Sequence, residues 1–113
     1  MTDKIVVLST CADEEQARTL ARALVERRLA ACATVVPGVT SIYRWKGEIE
    51  SSAECLLVIK STRELFGPLQ AAIASLHSYE VPEVLALSVV DGAPAYLEWL
   101  GASLAPPPGE PET

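Results

Sequence analysis

His77 is the only histidine in the chain, and Tyr79, Glu80 and Glu83 follow it closely, with Pro82 forbidding a continuous helix through them. One imidazole and two carboxylates suit copper, zinc or nickel if the loop folds back, and a three-fold axis could supply further ligands. His77, Glu80 and Glu83 are therefore the candidate metal site. The plainer reading of the same residues is a helix-end histidine and two surface glutamates, since a lone histidine is a thin anchor for a borderline-soft cation. A second group is Tyr43, Trp45, Lys60, Tyr79 and Glu83, with Cys32 as a further candidate. Used structurally, Tyr43 and Trp45 anchor a subunit interface and Lys60 pairs with Glu83. Used functionally, the group lines a cleft with a cation, a carboxylate and stacking surfaces, suited to a small anion or planar ligand.

Other chemistry is absent from the sequence. It carries no glycine-rich phosphate loop and no nucleophile elbow, and His77 alone could serve a serine or cysteine. An acid–base pair of His77 and Glu80 would still need a placed electrophile stabiliser, so the expectation is a binding protein and not an enzyme. Cys11, Cys32 and Cys55 are odd in number and widely spaced, which reads as reduced, partly buried thiols and not as a zinc clip. Cys32 sits where a helix hands over to a strand, without a local basic partner to activate it. The formal net charge of -6 argues against nucleic acid and against anionic membranes as partners. No apolar run resembles a signal peptide or a membrane span, which places the expected location in the cytoplasm.

With 113 residues, half of them hydrophobic, the chain should fold as one domain with one core. Residues 5–11 form a nearly continuous apolar run, fitting a strand covered on both faces. Asp13 can cap the helix that follows, with Gln16 three residues on, Glu14 and Glu15 near its positive end and Arg27 and Arg28 near its negative end. Ala17, Leu20, Ala21, Leu24, Val25 and Leu29 recur at three- and four-residue steps and define its buried stripe. A long strand over 33–50, bent at Pro37-Gly38, should close through a hairpin at 47–52 onto a strand over 53–60. Ser61 and Glu64 stand in capping-box relation ahead of a second helix, which Gly67-Pro68 should kink or delay to Pro68. A fourth strand over 84–90 and a short helix over 95–104 complete a domain of residues 1–104. Residues 105–113, rich in proline, read as a disordered tail.

The element order is that of an α+β, ferredoxin-like βαββαβ fold, an antiparallel sheet with two helices on one face plus a short C-terminal helix. The other sheet face carries too few charges to be solvated. Another copy of the chain is the economical cover, with a projecting hairpin at 39–50 adding strand edges to a neighbour. The residues alone allow a dimer or a trimer.

Pro37-Gly38-Val39-Thr40-Ser41-Ile42-Tyr43-Arg44-Trp45-Lys46-Gly47-Glu48-Ile49-Glu50 joins a turn to a polar, aromatic-rich strand. Leu8-Ser9-Thr10, Asp13-Glu14-Glu15 and Leu29-Ala30-Ala31-Cys32 precede it. Leu57-Val58-Ile59-Lys60-Ser61-Thr62, His77-Ser78-Tyr79-Glu80-Val81-Pro82-Glu83 and Tyr96-Leu97-Glu98-Trp99-Leu100 follow. In this order and spacing the segments resemble the CutA family, the proteins linked to divalent-cation tolerance. The chain departs from that pattern at Ala12 and Ser78, where the family often has proline, and at Ser9, where some relatives carry a cysteine. The resemblance implies a homotrimer, similar in outline to the P-II signalling proteins. It also implies weak binding of divalent cations, copper foremost, and a part in copper tolerance by binding or by regulating a protein partner. The alternatives are a P-II-like small-molecule-binding signalling module and a structural trimer without ligand.

Overall fold

The computed structural model describes residues 1–107 and 109. Its strands are β1 (Lys4–Cys11), β2 (Cys32–Trp45), β3 (Glu48–Thr62) and β4 (Leu85–Ser88), and its helices α1 (Glu14–Glu26), α2 (Phe66–Leu76) and α3 (Pro94–Ala102). The strands form one sheet in the order β2-β3-β1-β4, with every neighbouring pair antiparallel. This is the expected α+β, ferredoxin-like arrangement. No helix among the described residues is long and apolar enough to cross a membrane.

Local signals place the first half well. Asp13 Oδ1 accepts the Gln16 N–H at 2.8 Å and caps α1. Ala17, Leu20, Ala21 and Leu24 are buried against Val7, Leu57 and Ile59 of the sheet, and Leu69 and Ile73 of α2 pack into the same core. Val25, expected in the buried stripe, is 40% exposed at its edge. Arg28 does not serve the α1 dipole as expected. It adopts a left-handed φ of 59° just past the helix end and donates to the Ala102 and Ser103 carbonyls, so it caps α3 instead.

The hairpin is longer and tighter than its sequence suggests. Residues 48–52 belong to β3, and the turn is only Lys46-Gly47, both at positive φ (50° and 83°), which matches the right-handed twist of the flanking strands. The bend at Pro37-Gly38 is a bulge: Val36 pairs with Leu56 and Val39 with Glu54, one residue out of step, with Gly38 at φ 73°. This extra residue reverses the alternation of side chains. Ahead of the bulge Cys32, Thr34 and Val36 share a sheet face with Lys60, Val58 and Leu56; beyond it Val39, Ser41, Tyr43 and Trp45 take that face, beside Glu54.

The Ser61–Glu64 capping box does not form. Ser61 is fully buried and donates to the Leu29 carbonyl at 2.7 Å, and a 3-10 turn over Arg63–Leu65 leads into α2. Pro68 falls in the first turn of α2, where its missing N–H leaves no helix bond unmade. β4 is shorter than the expected 84–90. Of the proposed tail over 105–113, Ala105 donates to the Arg28 carbonyl at 2.9 Å, whereas residues 108 and 110–113 lie outside the described residues.

Both long helices cover the face carrying Ile5, Val7, Cys11, Cys55, Leu57 and Ile59. The opposite face carries Val6, Leu8, Leu56 and Val58 at its centre, with Leu85 and Leu87 exposed at 57% and 52%. Among the described residues, α3 approaches it at the end where Lys60 Nζ donates to Tyr96 OH at 3.2 Å, and the segment after α2 meets its other end at Glu54.

Candidate ligand cleft

A cavity of about 540 Å³ opens between the β2–β3 hairpin and the segment that follows α2. Its lining combines Tyr43, Trp45 and Tyr79 with Glu54, Glu80 and Glu83, and Thr10, Ser41, Ile42 and Val81 complete it. Tyr43 and Trp45 face it because the Pro37-Gly38 bulge turned them to the side of Glu54. Tyr43 OH lies 2.9 Å from Ser52 Oγ across the ladder, which steadies the ring.

Glu54 is the buried charge of this site, with 8% exposure. Burial by itself pushes its carboxyl up, but hydroxyls of Ser41, Tyr79 and Thr10, with His77 nearby, outweigh that and hold it below the ordinary carboxylate range. The Tyr79 phenol donates to Glu54 Oε2 at 2.6 Å. Burial, then the Glu54 hydrogen bond and charge, push Tyr79 well above the ordinary phenol range, so it stays a donor.

His77 lies behind the cleft wall. Its Nδ1 accepts the Tyr79 N–H at 3.0 Å, and its Nε2 lies 2.7 Å from the Thr10 carbonyl, a contact that only an Nε2–H can make favourable. The neutral Nε2–H tautomer satisfies both contacts, and the ring centroid lies 4.7 Å from that of Tyr79 with the planes tilted by 44°. Its function in this fold is to tie the segment after α2 to β1. With both ring nitrogens engaged, His77 offers no lone pair to a cation that Glu80 and Glu83 could share. Among the described residues, no three of histidine, cysteine, aspartate or glutamate form a ready metal site.

The second expected group also divides. Tyr43, Trp45, Tyr79 and Glu83 share the cleft, whereas Lys60 and Cys32 pair with each other in the ladder six residues beyond Glu54, about 20 Å along the strand. Lys60 is bound to Tyr96 and not to Glu83; that hydrogen bond, partly offset by burial, raises its pKa. Among the described residues of the single chain, no lysine or arginine joins the cleft lining. Sequence reasoning missed Glu54, although a charge beside the apolar run Cys55-Leu56-Leu57-Val58-Ile59 was a visible signal.

The thiols lie apart from the cleft chemistry. Cys11 and Cys55 face each other across β1 and β3, both buried. Burial first, then the charges of Cys55, Asp13 and Glu54, push the Cys11 thiol up to about 11. Cys11 Sγ lies 3.8 Å from His77 Nε2 at the base of a smaller cavity of about 280 Å³.

A family model described as CutA1 divalent ion tolerance protein matches residues 5–103. A divalent-cation tolerance protein CutA from Thermus thermophilus is 53% identical over 95 residues, covering 84% of this chain and 92% of that relative. A protein CutA from Mus musculus is 50% identical over 91 residues, which are 80% of this chain and 51% of the relative, so the chain spans about half that protein's length. A solved structure of the divalent cation tolerance protein (Cut A1) from Thermus thermophilus is similar at a TM-score of 0.88 and 49% identity, over 90% of this chain and 99% of that one. The sheet order, the hairpin and the segment from His77 to Glu83 thus sit in a fold and a sequence pattern shared along nearly the whole domain, and the chain belongs to the CutA1 divalent ion tolerance protein family.

Proposed function

We propose that the chain acts as a homotrimeric, non-catalytic protein of the cytoplasm that responds to divalent cations, copper(II) foremost, by weak binding at its acidic cleft. It contributes to metal tolerance through that binding or through a protein partner it regulates. The observation that carries this reading is the charge imbalance of the cleft: Glu54, Glu80 and Glu83 line one cavity, and among the described residues no lysine, arginine or histidine lines it with them. Copper(II) binds nitrogen and oxygen sites more tightly than the other first-row divalent ions, so it is the first candidate for carboxylates of this kind. The absence of a converged donor set among the described residues predicts modest affinity.

Trimer formation is supported by the uncovered sheet face. Leu85 and Leu87 are about half exposed, so covering either contributes about half of the roughly 1.5–3 kcal/mol of a fully buried leucine, and several apolar side chains share that face. The relatives named for divalent-cation tolerance support the metal reading in outline.

The test is a copper(II) titration by calorimetry of the assembled protein, a Glu80→Gln/Glu83→Gln double variant and His77→Ala. Saturable binding that weakens at least about tenfold in the double variant and little in His77→Ala is the expected result. Binding that survives the loss of both glutamates would overturn the placement at the cleft. Loss in His77→Ala with an intact assembly would return the site to the histidine.

A further inference from the structure

We infer that the aromatic wall of the same cleft recognises an organic ammonium ion, an alkylated nitrogen cation with an apolar body, whose charge faces Glu54. The inference deepens the cation-binding reading of the cleft and rests on it. Three features of the lining select this ligand class.

The first is the sign of the charge. Among the described residues, Glu54, Glu80 and Glu83 meet no basic side chain in the lining, and the ion pairs Lys4–Asp3, Arg18–Glu14 and Arg22–Glu26 all lie elsewhere. Glu54 is more than nine-tenths buried, and its pKa is held low, so the cleft floor carries a negative charge that water reaches poorly. A cationic ligand gains from that charge, and an anionic one is repelled.

The second is the wall itself. Tyr43, Trp45 and Tyr79 line it, with Val81 and Ile42 beside them. Ring faces attract a desolvated alkylammonium, whereas a hydrated metal ion needs converging oxygen donors and gains little from rings. The Trp45 ring already lies 5.8 Å from Lys46 Nζ, a cation supplied by the chain itself at this ring. The third is size: about 540 Å³ lies within the range of small-molecule sites, far more than a bare ion fills.

The experiment titrates choline chloride, and separately its uncharged isostere 3,3-dimethyl-1-butanol, into the assembled full-length protein by calorimetry. It then repeats the choline titration with Glu54→Gln and Trp45→Ala, each checked for unchanged mass by light scattering. Glutamine keeps an oxygen to accept from Tyr79, and Trp45 is 43% exposed, so both variants should fold. The expected result is saturable choline binding, at least about tenfold weaker for the isostere and for each variant. No choline heat, or an isostere that binds as well, overturns the inference; the isostere comparison uses wild-type protein and decides even if a variant fails to assemble. Copper(II) binding without choline binding would overturn this inference alone. Choline binding without copper(II) binding would overturn the metal reading alone.

Discussion

The phenol of Tyr79 donates to the carboxylate of Glu54 at 2.6 Å, and the backbone N–H of the same tyrosine is held by His77 Nδ1 at 3.0 Å. One residue thereby joins the β3 charge to the segment after α2. The charge floor of the cleft and the position of its outer wall are set together.

Stability should fall at both ends of the pH scale through this pair. Glu54 has a folded pKa below its ordinary 4.5, so its contribution is complete above that value and is lost as pH falls through the folded value. Tyr79 has a folded pKa above its ordinary 10.0, so its contribution is complete below 10.0 and is lost as pH rises towards the folded value. Melting temperature measured against pH should flatten on the acid limb in Glu54→Gln. Tyr79→Phe should flatten the alkaline limb and cost about 1.5–3 kcal/mol near neutrality, the loss of a hydrogen bond to a buried charge.

Leu87→Glu places a charge on the uncovered sheet face, opposite Val6 in the β1–β4 ladder. Leu87 is 52% exposed in the single chain, so the folded subunit should tolerate the change, while an assembly that buries this face should not. Native mass spectrometry is expected to give a trimer for the wild type and a monomer for the variant. An unchanged trimer in the variant would place the interface elsewhere.

Thiol reagents should distinguish native from unfolded protein. Cys11 and Cys55 are 1% exposed, and the Cys11 thiol, pushed up to about 11, holds almost no thiolate near neutrality. Near neutral pH, a disulfide reagent should modify at most Cys32 in the native protein, and all three cysteines in denaturant. Labelling of Cys11 at the rate of a free thiol under native conditions would contradict this burial.

Arg28 combines an unfavourable backbone with a favourable side chain. Arg28→Ala keeps the left-handed φ of 59° and removes the bonds to Ala102 and Ser103, so it should destabilise by about 1 kcal/mol. Arg28→Gly loses the same bonds but relieves the backbone, and urea unfolding should place it between alanine and the wild type.

Residues close in sequence determined β1, the Asp13 cap, the buried stripe of α1 and the site of the bulge. Capping, helical periodicity and the limits of proline each act over a few residues, so each leaves its mark in the local pattern. Ser61 read equally well as a cap from its neighbours alone; the Leu29 carbonyl that claims it lies far away in the chain. The tertiary structure alone decided which side chains meet. One extra residue at Pro37-Gly38 turned Tyr43 and Trp45 towards Glu54, the β2–β3 register carried Lys60 to Cys32 and away from Glu83, and packing against β1 gave both nitrogens of His77 to the backbone. Strand pairing joins residues by register across long stretches of chain, and a shift of one position exchanges the two faces, so the composition of a cleft between strands is fixed only when the strands are in place.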